Sequence, residues 1–309
     1  MSGEPMFNSS GRTLTPAAER VMDPTAEPVT MAGGRWRRSF TVGAVGRYLI
    51  LIAFAFLFTF PFYYVFVLAT HATPFANPPH IFFGEAVAEN VDALFSQLPF
   101  LRSFFNSLAI AVLATVSVLF FCTLGGFAFA KYQFKGKDLM LIFIVSTMAI
   151  PPFLNIIPFF RMMVTFGWYK TWLPLIVPGM ANAFGIFLMK QFLEESIPDE
   201  LMDAARIDGL NELQMVPRIV FPLAKPGLAI LGTITFVGSW NNFLGALVML
   251  PDPQNTTLPV ALSSLFVRSD GNYGGLMLGT ALSILPLVVI FMFFSRKIIA
   301  NLAAGAVKG

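Results

Sequence analysis

Six stretches of this chain, at about 48–70, 107–130, 139–160, 172–189, 226–250 and 276–295, contain no Lys, Arg, Asp, Glu or His. Each is close to or above the ~18–20 apolar residues a helix needs to cross the hydrocarbon core of a bilayer. A charge at the centre of such a helix costs at least about 2.5–3.5 kcal/mol on insertion scales, which accounts for the exclusion. The runs are continuously apolar, whereas strands of a membrane barrel would alternate every second residue. Composition points the same way: only 12% of residues are charged, against about 25% in soluble domains, and 35 residues are Phe. A soluble enzyme and a disordered chain are both argued against. The lone Cys122 rules out a disulfide within the chain and a Cys-based zinc site, and a net charge of +3 is too slight to suggest nucleic acid. The expectation is an all-α membrane protein with six transmembrane helices.

Charge between the stretches sets their orientation. Arg35, Arg37, Arg38 and Arg47 precede the first stretch, Lys131, Lys135 and Lys137 follow the second, and Arg296, Lys297 and Lys308 lie beyond the sixth. Glu85, Glu89 and Asp92 fall between the first and second. Positive residues favour the cytoplasmic side, so both termini are expected in the cytoplasm and the 71–100 and 251–275 loops outside. Residues 1–46, rich in Ser, Thr, Pro, Glu and Gly over their first part, read as a disordered cytoplasmic tail. Residues 47–309 read as the six-helix domain. Trp168, Tyr169 and Trp172 cluster as an aromatic belt would at the headgroups.

Proline recurs inside the stretches, at Pro61, Pro151, Pro152, Pro158, Pro174, Pro178 and Pro286. In lipid a freed carbonyl is tolerated only where a neighbouring helix or a cavity satisfies it again. Two readings stand: kinked helices around a pathway, or bends that serve packing alone.

One long hydrophilic loop remains, at 193–222. From Lys190 to Lys225 there are four basic and seven acidic residues, a local net of −3. Ser196 with Pro198 and Asp199 reads as a helix start with a capping hydroxyl. On a helical wheel Leu201, Met202, Ala204 and Ala205 fall on one face, opposite Asp199, Glu200, Asp203 and Arg206. Gly209 is placed for the left-handed turn that stops the helix, and a second short helix from Leu210 to Val216 should end before Pro217. A helix lying on lipid would carry Lys and Arg on its polar face, and this one is mostly acidic, so docking onto a protein is the expected role.

Asp203-Ala204-Ala205, then Gly209, then Ile219 and Pro222 resemble the "EAA" loop of membrane subunits of bacterial ABC importers. That pattern runs Glu-Ala-Ala, three residues, Gly, nine residues, Ile-x-Leu-Pro, and both spacings are kept. Asp203 replaces the glutamate and Phe221 the leucine. Further stretches are similar to the MalG-like permeases of carbohydrate importers. They are Arg102 to Ser107, Phe127 to Tyr132 with Phe134 and Gly136, Ile197 to Leu201, Trp240 to Phe243, and Gly305 to Gly309.

The resemblance implies a permease subunit in a bacterial inner membrane that imports a sugar, such as a maltose- or trehalose-type oligosaccharide. It implies a second permease subunit as heterodimer partner, two ATP-binding subunits, an extracytoplasmic sugar-binding protein and surrounding lipid. No nucleic acid is implied. This chain would bind no cofactor and do no chemistry, because ATP and Mg would be used by the partner ATPase. No phosphate-binding glycine loop occurs, since Gly136-Lys137 is followed by Asp138. Leu201, Met202, Asp203, Ala204, Ala205, Gly209, Ile219 and Pro222 would couple to the ATPase. Gly305, Val307, Lys308 and Gly309 would reach it from the C-terminus.

Candidates for the substrate pathway are Asn155, Asn182, Trp240, Asn241 and Asn242, with Ser239; interhelical hydrogen bonding is the competing reading for each. His71 and His80 read as loop histidines rather than a metal pair. The rival class is an ion-gradient-driven secondary transporter or channel. Proton coupling would place acids or histidines inside the bilayer, where none is found, but sodium coupling through neutral oxygens stays open. Deleting Ser2–Gly34 is expected to leave uptake by reconstituted vesicles unchanged; a loss would give the tail a role.

Overall fold

The computed structural model describes residues 42–268 and 273–306. Most of the expected tail, with Arg35, Arg37 and Arg38, and the terminal Val307, Lys308 and Gly309 lie outside the described residues. The chain divides into two units, residues 1–54 and 55–309. All regular elements among the described residues are helical. They run α1 (Val42–Leu68), α2 (Val87–Gln97), α3 (Phe100–Lys131), α4 (Lys137–Thr147), α5 (Ile156–Thr165), α6 (Leu173–Ile176) and α7 (Ala183–Ser196). Then come α8 (Asp199–Ile207), α9 (Glu212–Met215), α10 (Phe221–Leu223), α11 (Lys225–Trp240), α12 (Phe243–Met249), α13 (Leu258–Arg268) and α14 (Gly274–Ala306).

Among the described residues three helices are singly long and apolar enough to cross a membrane: Val45–Leu68, Phe100–Lys131 and Gly274–Met292. They coincide with the first, second and sixth predicted spans. Pro61 and Pro286 are carried inside α1 and α14 without ending them.

The other three predicted spans are interrupted, and each interruption has a local cause. At 139–160, α4 ends at Thr147, the chain turns to Pro151, whose backbone is extended (ψ 128°), takes one tight turn from Pro152 to Asn155, and resumes as α5. Two successive prolines withdraw two backbone donors there. At 172–189, α6 gives way around Pro178, and Asn182 restarts the helix by accepting a bond from the Gly185 amide. At 226–250, α11 stops at Trp240 and Asn242 caps α12 in the same way. The two expected external loops also contain helices that periodicity had not suggested, α2 and α13.

α3 is the element on which the others are arranged, packing against α7 and α11 and touching α6 and α13. Glycine sets the closeness of the α3–α7 crossing. A Cβ added at Gly126 would lie 2.6 Å from the Met189 Cβ and 2.7 Å from the Lys190 backbone nitrogen. On the other side, a Cβ at Gly185 would lie 2.6 Å from Cys122 Sγ. Small residues let helices approach closely where lipid offers no hydrophobic drive for them to associate. Around the crossing Val118, Cys122, Phe127, Met189, Leu193 and Ile197 form a buried cluster.

Replacing Gly126 by Val should destabilise the chain by at least the ~1–3 kcal/mol usual for overpacking, because backbone rather than a flexible side chain must move. Thermal unfolding in detergent would show it. Gly238→Ala, where nothing lies within 4 Å, should not lower the transition.

Candidate functional site: a clamped loop and a polar groove

The loop after α7 does not begin as Ser196 suggested. Ser196 is the last residue of α7, and α8 starts after Pro198 with no side-chain cap. α7 persists to that point because Met189, Leu193 and Ile197 bury one continuous stripe, and Lys190 pairs with Glu194 at 2.5 Å. α8 then ends as expected, with Gly209 in the left-handed region at φ +82°. The second helix differs. Asn211 and Gln214 make a reciprocal capping box, and the chain continues through a π-helical turn, Val216–Val220, into α10 rather than stopping before Pro217. The wider turn accommodates a proline whose amide donor is missing.

The apolar face of α8 is split. Met202 and Ala205 are buried, in one cluster with Met215, Val216, Val220 and the α3–α7 crossing, and Ile219 packs at its edge. Leu201 and Ala204 face outward instead, and Ile207 is 86% and Leu213 84% exposed. Pro222 is also exposed. Three-residue spacing places Leu201, Ala204 and Ile207 along one uncovered stripe.

Polar contacts tie this loop to the end of α3. Lys131 Nζ, on a side chain only 5% exposed, meets Asp199 Oδ1 at 2.8 Å. The next residue, Tyr132, donates its hydroxyl to Glu212 Oε2. Arg206 bridges α8 to α9, with Nη1 2.8 Å from Asp203 Oδ1 and Nε 3.1 Å from Glu212 Oε1. Burial, then the Glu212 acceptor, push the Tyr132 phenol up to about 12. The Tyr132 hydroxyl and then Arg206 hold Glu212 below the usual carboxylate range, and Lys131 does the same for Asp199. The helical wheel had placed Asp199, Glu200, Asp203 and Arg206 on the polar face of this helix. It missed these partners, although Lys131 and Tyr132 stood in a stretch already singled out.

A groove of about 290 Å³ gathers three of the predicted pathway residues, Asn182, Ser239 and Asn242, with Gly179, Thr235 and Phe184. The asparagines sit there because they cap the restarted helices. Asn182 Oδ1 accepts from Gly185 at 2.8 Å and Asn242 Oδ1 from Gly245 at 3.0 Å. Asn241 lies outside the groove lining, its amide donating to Val237 O at 2.9 Å. Asn155 is exposed on the turn before α5. Trp240 is 2% exposed, stacked on Phe236 and edge-on to Phe104, and belongs to the core.

At the opposite end from the loop, Asn255 joins two segments. Its Oδ1 accepts from Trp172 Nε1 at 3.0 Å, and its Nδ2 donates to Lys170 O at 3.1 Å. Asn90, fully buried, donates to Ala69 O and His71 O and so fixes α2 against the end of α1. His71 and His80 stack at 3.7 Å, each ring bonded to a loop carbonyl. Gly305 falls within α14.

Long apolar helices, broken helices around a groove, and a hydrophilic loop clamped to one end are the parts of an integral membrane subunit. Comparison with known proteins makes the class specific. Residues 122–302 match the family described as "Binding-protein-dependent transport system inner membrane component", and the chain belongs to that family. It is 36% identical over 206 residues to the arabinooligosaccharides transport system permease protein AraQ of Halalkalibacterium halodurans, covering 67% of this chain and 74% of that one. It is 32% identical over 228 residues to the lactose transport system permease protein LacG of Rhizobium radiobacter, covering 74% and 83%. Its fold matches that of a bacterial ABC transporter involved in import of the acidic polysaccharide alginate. The TM-score is 0.71 at 24% identity, over 84% of this chain and 98% of that one.

The chain is thus an inner membrane permease subunit of an ABC importer, not an enzyme. ATP hydrolysis lies in separate subunits, and these and a solute-binding protein are its partners. The ion-driven carrier or channel is set aside.

The linkage fixes how pH acts on the loop. Asp199 and Glu212 have folded values below the ordinary 3.8 and 4.5. Their contribution is therefore present above those values and lost as pH falls through the depressed ones. Tyr132 is raised from 10.0, so its contribution is present below 10.0 and lost as pH rises toward 12. Hydrogen-exchange protection of residues 199–215, corrected for intrinsic rates, should be flat from about pH 5 to 9 and fall on the acid side. Tyr132→Phe should remove the alkaline dependence and keep the acid loss at Asp199.

Proposed function

We propose that this chain forms half of a sugar-translocating pathway and receives the ATPase stroke through the loop 199–222. The carrying observation is the uncovered stripe of Leu201, Ala204 and Ile207 on a helix whose other face is buried, whose first residue is tied to the end of α3 and whose last turn is joined through Arg206 to Glu212, itself held by Tyr132. An amphipathic helix fixed in this way presents its free apolar stripe to a groove on a partner. That partner is the ATPase, with Asp203 and Arg206 flanking the contact. Met202 and Ala205 seat the helix from beneath, and Gly209, Ile219 and Pro222 set the return of the chain. The C-terminal Gly305, Val307, Lys308 and Gly309 reach the same subunits.

Six crossings follow if the broken stretches 137–165, 173–196 and 225–249 each traverse the membrane beside α1, α3 and α14. The 80° bend between 212–223 and 225–240 supports this, because it turns the loop's second half away from α11 toward the membrane surface. Lys131, Lys135 and Lys137 at the loop end support a cytoplasmic position for that end and both termini, and Glu85, Glu89 and Asp92 support an external one for theirs. The groove at Asn182, Ser239 and Asn242 lies where helices are interrupted, which is where irregular backbone at membrane depth is tolerated. It is the sugar pathway of this subunit, completed by a second, non-identical permease. This chain holds no cofactor; ATP and Mg belong to the ATPase.

Relatives named for arabinooligosaccharides and lactose support a sugar as the substrate class. The maltose- or trehalose-type oligosaccharide is one choice within it, and the ligand retained by the co-purified binding protein decides. An oligosaccharide supports the reading, and a polyol phosphate or amino acid overturns it.

Gly209→Val should abolish ATP-driven uptake while leaving membrane insertion intact, because φ +82° is closed to a β-branched residue. Uptake at the unaltered rate in that variant would remove the coupling assignment.

A further inference from the structure

Two consecutive residues at the end of α3 hold the starts of the loop's first two helices. Lys131 takes the first residue of α8, Asp199, at 2.8 Å, and Tyr132 takes the first residue of α9, Glu212. Between these points Arg206, near the end of α8, contacts both Asp203 and Glu212, so the two short helices are joined to each other as well as to α3. Beneath the polar contacts Tyr132 lies edge-on to Phe127 of α3 at 5.4 Å, and Met202 and Met215 enter the buried cluster that contains Phe127.

Single exposed ion pairs are worth little, with a median of about 0–1 kcal/mol. The Lys131 side chain, however, is 5% exposed, and the contacts here are joined in series. A body held at two separated points and along a packed face has little freedom to pivot on α3. Held at one point, it has a hinge.

We propose that Lys131 and Tyr132 are positioning residues that make the loop 199–215 and α3 move as one body. A displacement imposed on α8 then appears along the whole of α3 rather than being absorbed at residues 132–198. The direction of use, from ATPase to pathway, rests on the function proposed above; the rigidity does not.

The test uses the complex of this chain with its partner permease and ATPase subunits in lipid nanodiscs, in a Cys122→Ala background. Spin labels are placed at Glu200→Cys on α8 and Leu101→Cys at the far end of α3, both exposed positions. Pulsed dipolar spectroscopy compares the nucleotide-free state with the state trapped by ATP and vanadate. One narrow distance distribution, the same in both states, is expected with the clamp intact. Lys131→Met with Tyr132→Phe keeps the buried stem and the ring, and should lose the narrow distribution, with a shift on trapping. Lys131→Asp should lose it as well, and adding Asp199→Lys should restore it, a recovery that loss of packing alone would not give.

A distance that changes on trapping with the clamp intact, a distribution that stays narrow in the Lys131→Met, Tyr132→Phe variant, or no recovery in the charge swap would each overturn the proposal. If the ATPase subunits fail to co-purify, the coupling reading falls, and the nucleotide-free distributions still decide the clamp.

Discussion

The close crossing of α3 and α7 is the constraint from which the other arrangements follow. Gly126 lets the Met189–Lys190 backbone approach within van der Waals range, and Cys122 fills the space that Gly185 leaves open. Because the crossing is made of backbone against backbone, it leaves no slack for side chains to absorb movement. α11 is seated against the same pair, with the Phe192 ring over Gly227. The loop cluster of Met202, Met215 and Val220 continues this packing rather than forming a core of its own.

Polar chemistry in the apolar region is an outcome of helix interruption. Ending a helix in lipid strands backbone donors that no water can satisfy. Asn182 and Asn242 meet that need as caps, and each has one oxygen committed to a backbone amide. These bonds are local caps rather than the interhelical bonds that were the competing reading, and they fix the side chains where they line the groove. Two helix starts and the last turns of α11 bring the polar groups Asn182, Asn242, Thr235 and Ser239 into a groove otherwise lined by apolar side chains.

Much of the architecture was legible because lipid imposes simple rules. The absence of charge located the apolar stretches, and glycine chemistry located the turn at Gly209. Two features were hidden for physical reasons. Whether a proline bends a helix or ends it depends on what can replace the lost bond: Pro61 and Pro286 lie within helices, whereas Pro151 with Pro152 breaks one. The helical wheel gave α8 one apolar face of four residues, yet only Met202 and Ala205 are covered, because a nine-residue helix presents a single stripe to one neighbouring surface. Likewise, Tyr132 and Glu212 are 80 positions apart, and only the return of α7 beside α3 brings them together.

α3 has 32 residues, which at 1.5 Å each is about 48 Å, while the hydrocarbon core it crosses is about 30 Å thick. Its ends must stand in the headgroups or beyond, or the helix must lean. A thicker bilayer would stand it more upright and a thinner one would tilt it further, at a modest cost per ångström. Where the helix leans, the separation between its two ends, measured along the membrane normal, follows acyl-chain length.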